Sequence, residues 1–231
     1  MKTSALALVV GLAFSSAAFA AQDQWDSATT PWGSATLTDY AEWNFFESLT
    51  RTGPLPNNAN GFVSSYNASA PDVAGATDGT LSAVGSPIVT STNNIYSFRE
   101  NATAYTATLA GTTGGVFDVY LRVATLGLAP STSAYLNGVA ATAVQTFYEN
   151  NGTQFGLEDS EREFYFVWNN VTGADLYTFT WTDLTAHTSL DQLALATVAV
   201  AAVPEPSTYG MLALGLGVLA FAGRRSRKNN A

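Results

Sequence analysis

The chain has no cysteine and a single histidine, His187. Export would permit disulfides, but this chain can form none, and thiol nucleophiles and thiolate metal sites are excluded with them. Basic residues are nearly absent from the interior of the sequence. Between residues 21 and 203 there is no lysine and there are four arginines, Arg51, Arg99, Arg122 and Arg162, against seventeen acids, a net charge near −13. Such a field repels nucleic acid, anionic lipid and acidic polysaccharide unless a cation intervenes, so no nucleic-acid partner is expected. Sustained helical periodicity is missing from the interior as well, and so is any internal repeat.

The two ends depart from this composition. Residues 1–20 carry one cation, Lys2, then the apolar stretch ALALVVGLAF and a small-residue run ending Ala18-Phe19-Ala20, the layout of a secretory signal peptide cleaved after Ala20. Near the other end, residues 207–223 run without a charge and just reach the ~17 residues needed to span hydrocarbon. Arg224, Arg225, Arg227 and Lys228 follow as a basic stop, which the positive-inside rule places in the cytoplasm, leaving the body on the far side. Ahead of the span lies Val203-Pro204-Glu205-Pro206-Ser207. Its two prolines lack backbone donors and bias the residues before them toward extended conformations, so the strip stays out of helix and sheet.

Taken together, VPEPSTYGMLALGLGVLAFAGRRSRK resembles the PEP-CTERM sorting signal: a Pro-Glu-Pro motif, a short transmembrane helix and a basic tip. The resemblance covers about the last 28 residues, within the segment 201–231. It implies recognition by an exosortase, a membrane cysteine protease-transpeptidase, and removal of the tail near the motif. The inner membrane would then hold the protein only transiently. Its destination would be the cell surface or extracellular matrix of a Gram-negative bacterium that makes exopolysaccharide.

Residues 21–200 suffice for one domain with an adequate core. They are rich in Thr, Val, Tyr, Phe and Trp and are broken often by Gly, Asn and Pro, which predicts an all-β fold. In GVFDVYLRVATLG, Phe117, Val119, Leu121 and Val123 alternate with Asp118, Tyr120 and Arg122. In REFYFVWNN, Phe164, Phe166 and Trp168 alternate with Glu163, Tyr165 and Val167. In DLYTFTWTD, Tyr177, Phe179 and Trp181 alternate with threonines. Asn137-Gly138 between apolar flanks predicts a hairpin. GFVSSY, GTLSAV, PIVTS, NIYSFRE, AYTATLA and SLDQLALATVAV complete the expected strands, while YAEWNFFESL fits a short helix or a strand. This spacing predicts a sandwich of two antiparallel sheets. The order of parts is similar to the jelly-roll domains of carbohydrate-binding modules, a resemblance of pattern that carries no site with it.

Several constellations invite a chemical reading. A Ser-His-Asp triad would have to be built on His187, yet no G-x-S-x-G elbow accompanies it, and a loop histidine is expected. Glu158, Asp159, Glu161 and Glu163 could supply the two facing carboxyls of a glycosidase. The run does not match the E-x-D-x-x-E strand of laminarinase-like hydrolases, so a solvated acidic turn is the expectation and catalysis is not. Asp72 and Asp78, in a glycine-bearing loop, are hard oxygen ligands of the kind calcium favours outside the cell, and structural calcium there or at the Glu158 cluster is the one metal considered. Asn67, Asn101, Asn151 and Asn170 open N-x-S/T triplets, and no glycans are assigned to them. Tyr120 and Tyr165, opposite the apolar faces of their strands, are candidate sugar-stacking rings. The expected function is an exported surface or matrix protein associating with extracellular polysaccharide; a glycoside hydrolase or lyase on the same fold and a purely structural matrix component are the alternatives.

Overall fold

The computed structural model describes residues 25–46, 65–67, 70–73, 75–85, 87–90, 92–97, 102–154, 156–201 and 210–216. The expected signal peptide, the Val203–Ser207 motif and the basic tail fall outside them. The described strands are β1 (Leu37–Trp43), β2 (Ser65–Asn67), β3 (Gly79–Val84), β4 (Pro87–Val89), β5 (Ile95–Ser97), β6 (Ala104–Ala110), β7 (Val116–Gly127), β8 (Pro130–Leu136), β9 (Val139–Thr142), β10 (Val144–Gln154), β11 (Leu157–Thr172), β12 (Leu176–Asp183) and β13 (Thr188–Ala199). All pairings are antiparallel. The larger sheet runs β10-β11-β7-β13-β5-β4, with β1 also against β13, and the smaller runs β2-β3-β6-β12-β8-β9. The fold is an all-β antiparallel sandwich, as the alternation predicts.

The two inner faces meet in one core. Phe117, Val119, Leu121 and Val123 from β7 and Phe164, Phe166 and Trp168 from β11 oppose Tyr105 and Leu109 from β6 and Tyr177, Phe179 and Trp181 from β12. Trp168 packs edge-on against Phe179 at 5.8 Å, and its indole N–H donates to the Val139 carbonyl at 2.8 Å, so one side chain ties both sheets. Trp43 is fully buried and YAEW is strand, so the ambiguous front segment begins as β, while its last residues, 47–49, lie outside the described ones. Asn137 and Gly138 both have positive φ, 48° and 85°, the type I′ geometry expected between β8 and β9.

Two departures from expectation have physical causes. β10 was not anticipated, because an edge strand largely open to solvent needs no apolar alternation, and its register slips between Gln145 and Phe147 and between Asn150 and Gly152. Glu158 to Glu163, expected as a solvated turn, belong instead to β11, where pairing to β7 and β10 on both sides overrides the low strand propensity of acids.

The outward side of the smaller sheet is neutral. Thr80, Ser82, Thr106, Thr108, Thr178, Thr180, Thr182, Ser133 and Tyr135 point outward from its strands, with no charged side chain among the outward positions. Acids at the sandwich's ends and interior are held specifically. The Asp39 carboxylate accepts from the Thr197 hydroxyl at 2.7 Å and from the Thr112 hydroxyl and N–H at 2.9 and 3.2 Å, linking β1, β13 and the start of the β6–β7 loop. Asp183, at the end of β12, is buried beneath the hydroxyls of Ser97 and Tyr105. Burial pushes its carboxyl up to about 7, against the opposing effect of those two donors.

Candidate functional site

Strand pairing lays out the outer face of the larger sheet in rows. One row reads Tyr40 (β1), Ala196 (β13), Tyr120 (β7) and Val167 (β11). The next reads Glu42, Ala194, Arg122 and Tyr165. A third places Gln192, Ala124 and Glu163 side by side. Tyr120 and Tyr165 are therefore diagonal neighbours on one face, within reach of a single ring-stacking ligand. The alanines make β13 the floor of a trough walled by the longer side chains of β1 and β7.

Ala194 and Ala196 are 0% exposed although they face outward, and the segment carrying Trp25, Ser27 and Trp32 lies against the residues that flank them. Trp32 stands edge-on to Tyr40 at 5.8 Å and to Tyr120 at 6.0 Å, the two rings that flank Ala196. Trp25 lies with its ring 4.0 Å from the Arg122 guanidinium and donates its indole N–H to Glu42 Oε1 at 2.7 Å, the two residues that flank Ala194.

Between the tryptophans, the Ser27 backbone sits on a buried ion pair. Arg122 Nη2 donates to Glu163 Oε2 at 2.7 Å and to the Ser27 carbonyl at 3.1 Å, and the Ser27 N–H donates to Glu163 Oε1 at 3.0 Å. Arg122 and Glu163 are 2% and 1% exposed. The Tyr40 hydroxyl donates to the other Glu42 oxygen, and burial together with that carboxylate holds the phenol well above its usual range. Tyr120 is raised too, mainly by burial and then by Asp118 and Tyr165. Even so, two buried donors, Arg122 Nε and Gln192 Nε2, meet no acceptor among the described residues.

The other candidates are scattered. Glu158 reaches Arg162 at 2.5 Å, while Glu163, five positions along the same strand, points to the opposite face, so the acidic run divides between the two sides of the sheet. Glu161 shares the outer face with Glu163. The His187 ring engages the Tyr96 hydroxyl, 2.6 Å from Nδ1, while the Ser97 hydroxyl goes directly to Asp183; the order of a triad is not assembled. The Asp72 carboxylate accepts from the backbone N–H groups of Asn44 and Phe45 at 3.0 to 3.1 Å, a donor-rich nest of the opposite sense to a cation site. Desolvation raises its carboxyl against those donors. Asp78 is exposed, and no group of three or more His, Cys, Asp or Glu is placed to hold a metal ion among the described residues.

Sequence reasoning singled out Tyr120 and Tyr165 as candidates and did not single out Trp25, Trp32, Glu42 or the Arg122–Glu163 pair. An arginine centred on a predicted outward face, in a body with four, was the available signal.

Past β13 the chain leaves the sandwich at residue 201 and is helical over 210–216, where Met211, Leu212, Leu214 and Leu216 are all exposed. Residues 202–228 match the family model of the PEP-CTERM protein-sorting motif. The chain carries a PEP-CTERM sorting motif. The match takes in the Pro-Glu-Pro strip, the apolar run and the basic tip in the order expected, and it marks an exported protein that is anchored by its C-terminus and processed by an exosortase. No described helix is long and apolar enough to cross a membrane, and the PEP-CTERM apolar run, 207–223, is described only over 210–216. No curated protein and no solved structure matches the chain.

Proposed function

We propose that a signal peptide removed after Ala20 exports this protein, that residues 207–223 hold it briefly in the inner membrane, and that an exosortase releases it near Val203 to Ser207. The body then associates with polysaccharide at the surface or in the matrix of a Gram-negative bacterium. The PEP-CTERM match supports the route. Mass spectrometry of the surface-recovered protein is expected to find a C-terminus between Val203 and Ser207; intact protein ending at Ala231 would overturn the processing step.

The role we propose for the body is glycan binding without catalysis. The strand orders β5-β13-β7-β11 and β6-β12-β8-β9 support a jelly-roll reading of the sandwich, with its two interlocked Greek keys. The observation that carries the binding is the joint placement of Tyr120 and Tyr165 on an outer face that also holds Arg122, Glu42 and Glu163. Sugar rings offer flat C–H faces to aromatic rings and hydroxyls to such polar groups. A net charge near −13 favours a neutral polysaccharide. Against catalysis stands the division of Glu158, paired with Arg162, and Glu163, paired with Arg122, between the two faces of β11, so these two carboxylates do not face each other across one cleft.

The purified protein is expected to co-sediment with exopolysaccharide from the producing cells and to release no reducing ends. Tyr120→Ala and Tyr165→Ala should each weaken binding about tenfold, the equivalent of ~1.4 kcal/mol, with the thermal midpoint monitored to exclude unfolding. Reducing ends that disappear with Glu161→Gln would favour a hydrolase, and no co-sedimentation would leave a structural role.

A further inference from the structure

We propose that residues 25–35 are a built-in plug, a self-ligand seated in the glycan groove that a neutral polysaccharide chain must displace. The inference rests on the glycan reading of this face. The plug's contacts are those a sugar chain would make. Its rings occupy the two alanine-floored positions beside Tyr40, Tyr120 and Arg122, its Ser27 N–H and Trp25 N–H supply donors to Glu163 and Glu42, and its Ser27 carbonyl supplies the acceptor for Arg122.

The plug serves the groove incompletely. Arg122 Nε and Gln192 Nε2, both on residues at most 2% exposed and both on this face, remain without acceptors. An unpaired buried donor forfeits the hydrogen bonds it made to water, so a ligand that satisfies both gains over the plug that leaves them unmet. A polyhydroxylated chain has the acceptors required, since each hydroxyl both donates and accepts. An anionic ligand would meet Glu42 and Glu163 as like charges. Residues 25–36 lie outside the strand pairing and lead into β1, so the plug can lift without opening the sandwich.

While the plug is seated the groove is closed, and apparent affinity is the intrinsic affinity reduced by the open fraction. The test uses the full mature protein and the neutral fraction of the exopolysaccharide from the producing cells. Trp25→Ala combined with Trp32→Ala is expected to tighten binding by tenfold or more, and in the unsubstituted protein amide exchange at Ser27 and its neighbours is expected to rise when polysaccharide is added. The exchange measurement stands even if the double variant folds poorly. Unchanged affinity together with unchanged exchange at Ser27 overturns the plug and leaves glycan binding intact. Weaker binding by the double variant also overturns it, by making the two tryptophans part of the binding surface. If neither protein binds, the glycan reading falls and the plug with it.

Discussion

Replacing Glu163 by leucine is expected to cost the protein about 3 to 5 kcal/mol. The reason is the state in which it leaves Arg122. That guanidinium is 2% exposed and, among the described residues, has Glu163 as its one carboxylate partner, at 2.7 Å, and an Nε without an acceptor. Without Glu163 it becomes a buried, uncompensated charge, and the Ser27 N–H loses its acceptor as well. Replacing both partners together, Arg122→Met with Glu163→Leu, removes the charge that would be stranded and should recover most of the loss or exceed the parent stability. Urea unfolding of the parent, the two single variants and the double variant checks this. A Glu163→Leu variant within 1 kcal/mol of the parent would mean that water reaches Arg122 and that residues 25–35 do not cover it in solution.

The second large effect follows the buried carboxyl of Asp183. Its folded value of about 7 lies above the ordinary aspartate value of 3.8, so between those limits the folded protein holds a proton that the unfolded chain has released. The contribution to stability is therefore complete below about pH 4 and is lost as pH rises through 7. At ~1.4 kcal/mol per pKa unit the whole interval is worth on the order of 4 kcal/mol. Thermal midpoints should rise as pH falls from 8 to 5. Asp183→Asn mimics the protonated form and should be more stable than the parent at pH 8, with little difference at pH 5. A parent and variant whose midpoints run parallel across this range would contradict the buried, partly protonated carboxyl.

Strand alternation made the fold legible because it reports burial directly. Phe117 to Val123, Phe164 to Trp168 and Tyr177 to Trp181 each mark an inner face that the core cluster confirms. The same alternation placed Tyr120 and Tyr165 outward. It is silent, however, about anything that crosses above a sheet. The contacts of Trp25 with Arg122 and Glu42, and of Ser27 with Glu163, span 97, 17 and 136 positions of chain, and no local pattern encodes a partner at such separation. Ala194 and Ala196 looked like ordinary strand residues; only the register that sets them between Tyr40 and Tyr120, and between Glu42 and Arg122, turns them into the floor of a groove. The PEP-CTERM tail was legible for the opposite reason, since its three features lie in sequence order within 27 residues.

The place where the chain leaves the sandwich also decides how it bears a pull. The segment that leads to the C-terminal anchor continues from β13, which is hydrogen-bonded to β7 along one edge and to β1 and β5 along the other. Until the anchor is removed, tension applied through it runs along that strand, perpendicular to its ladder bonds, so the bonds on both edges share the load at once instead of opening one after another as they would at a sheet margin. Before release, flow or the drag of an attached polymer would thus work against a strand paired on both of its edges. Leu37 pairs with Val198 beside that exit, so the root of the segment carrying Trp25 and Trp32 sits where the strain enters.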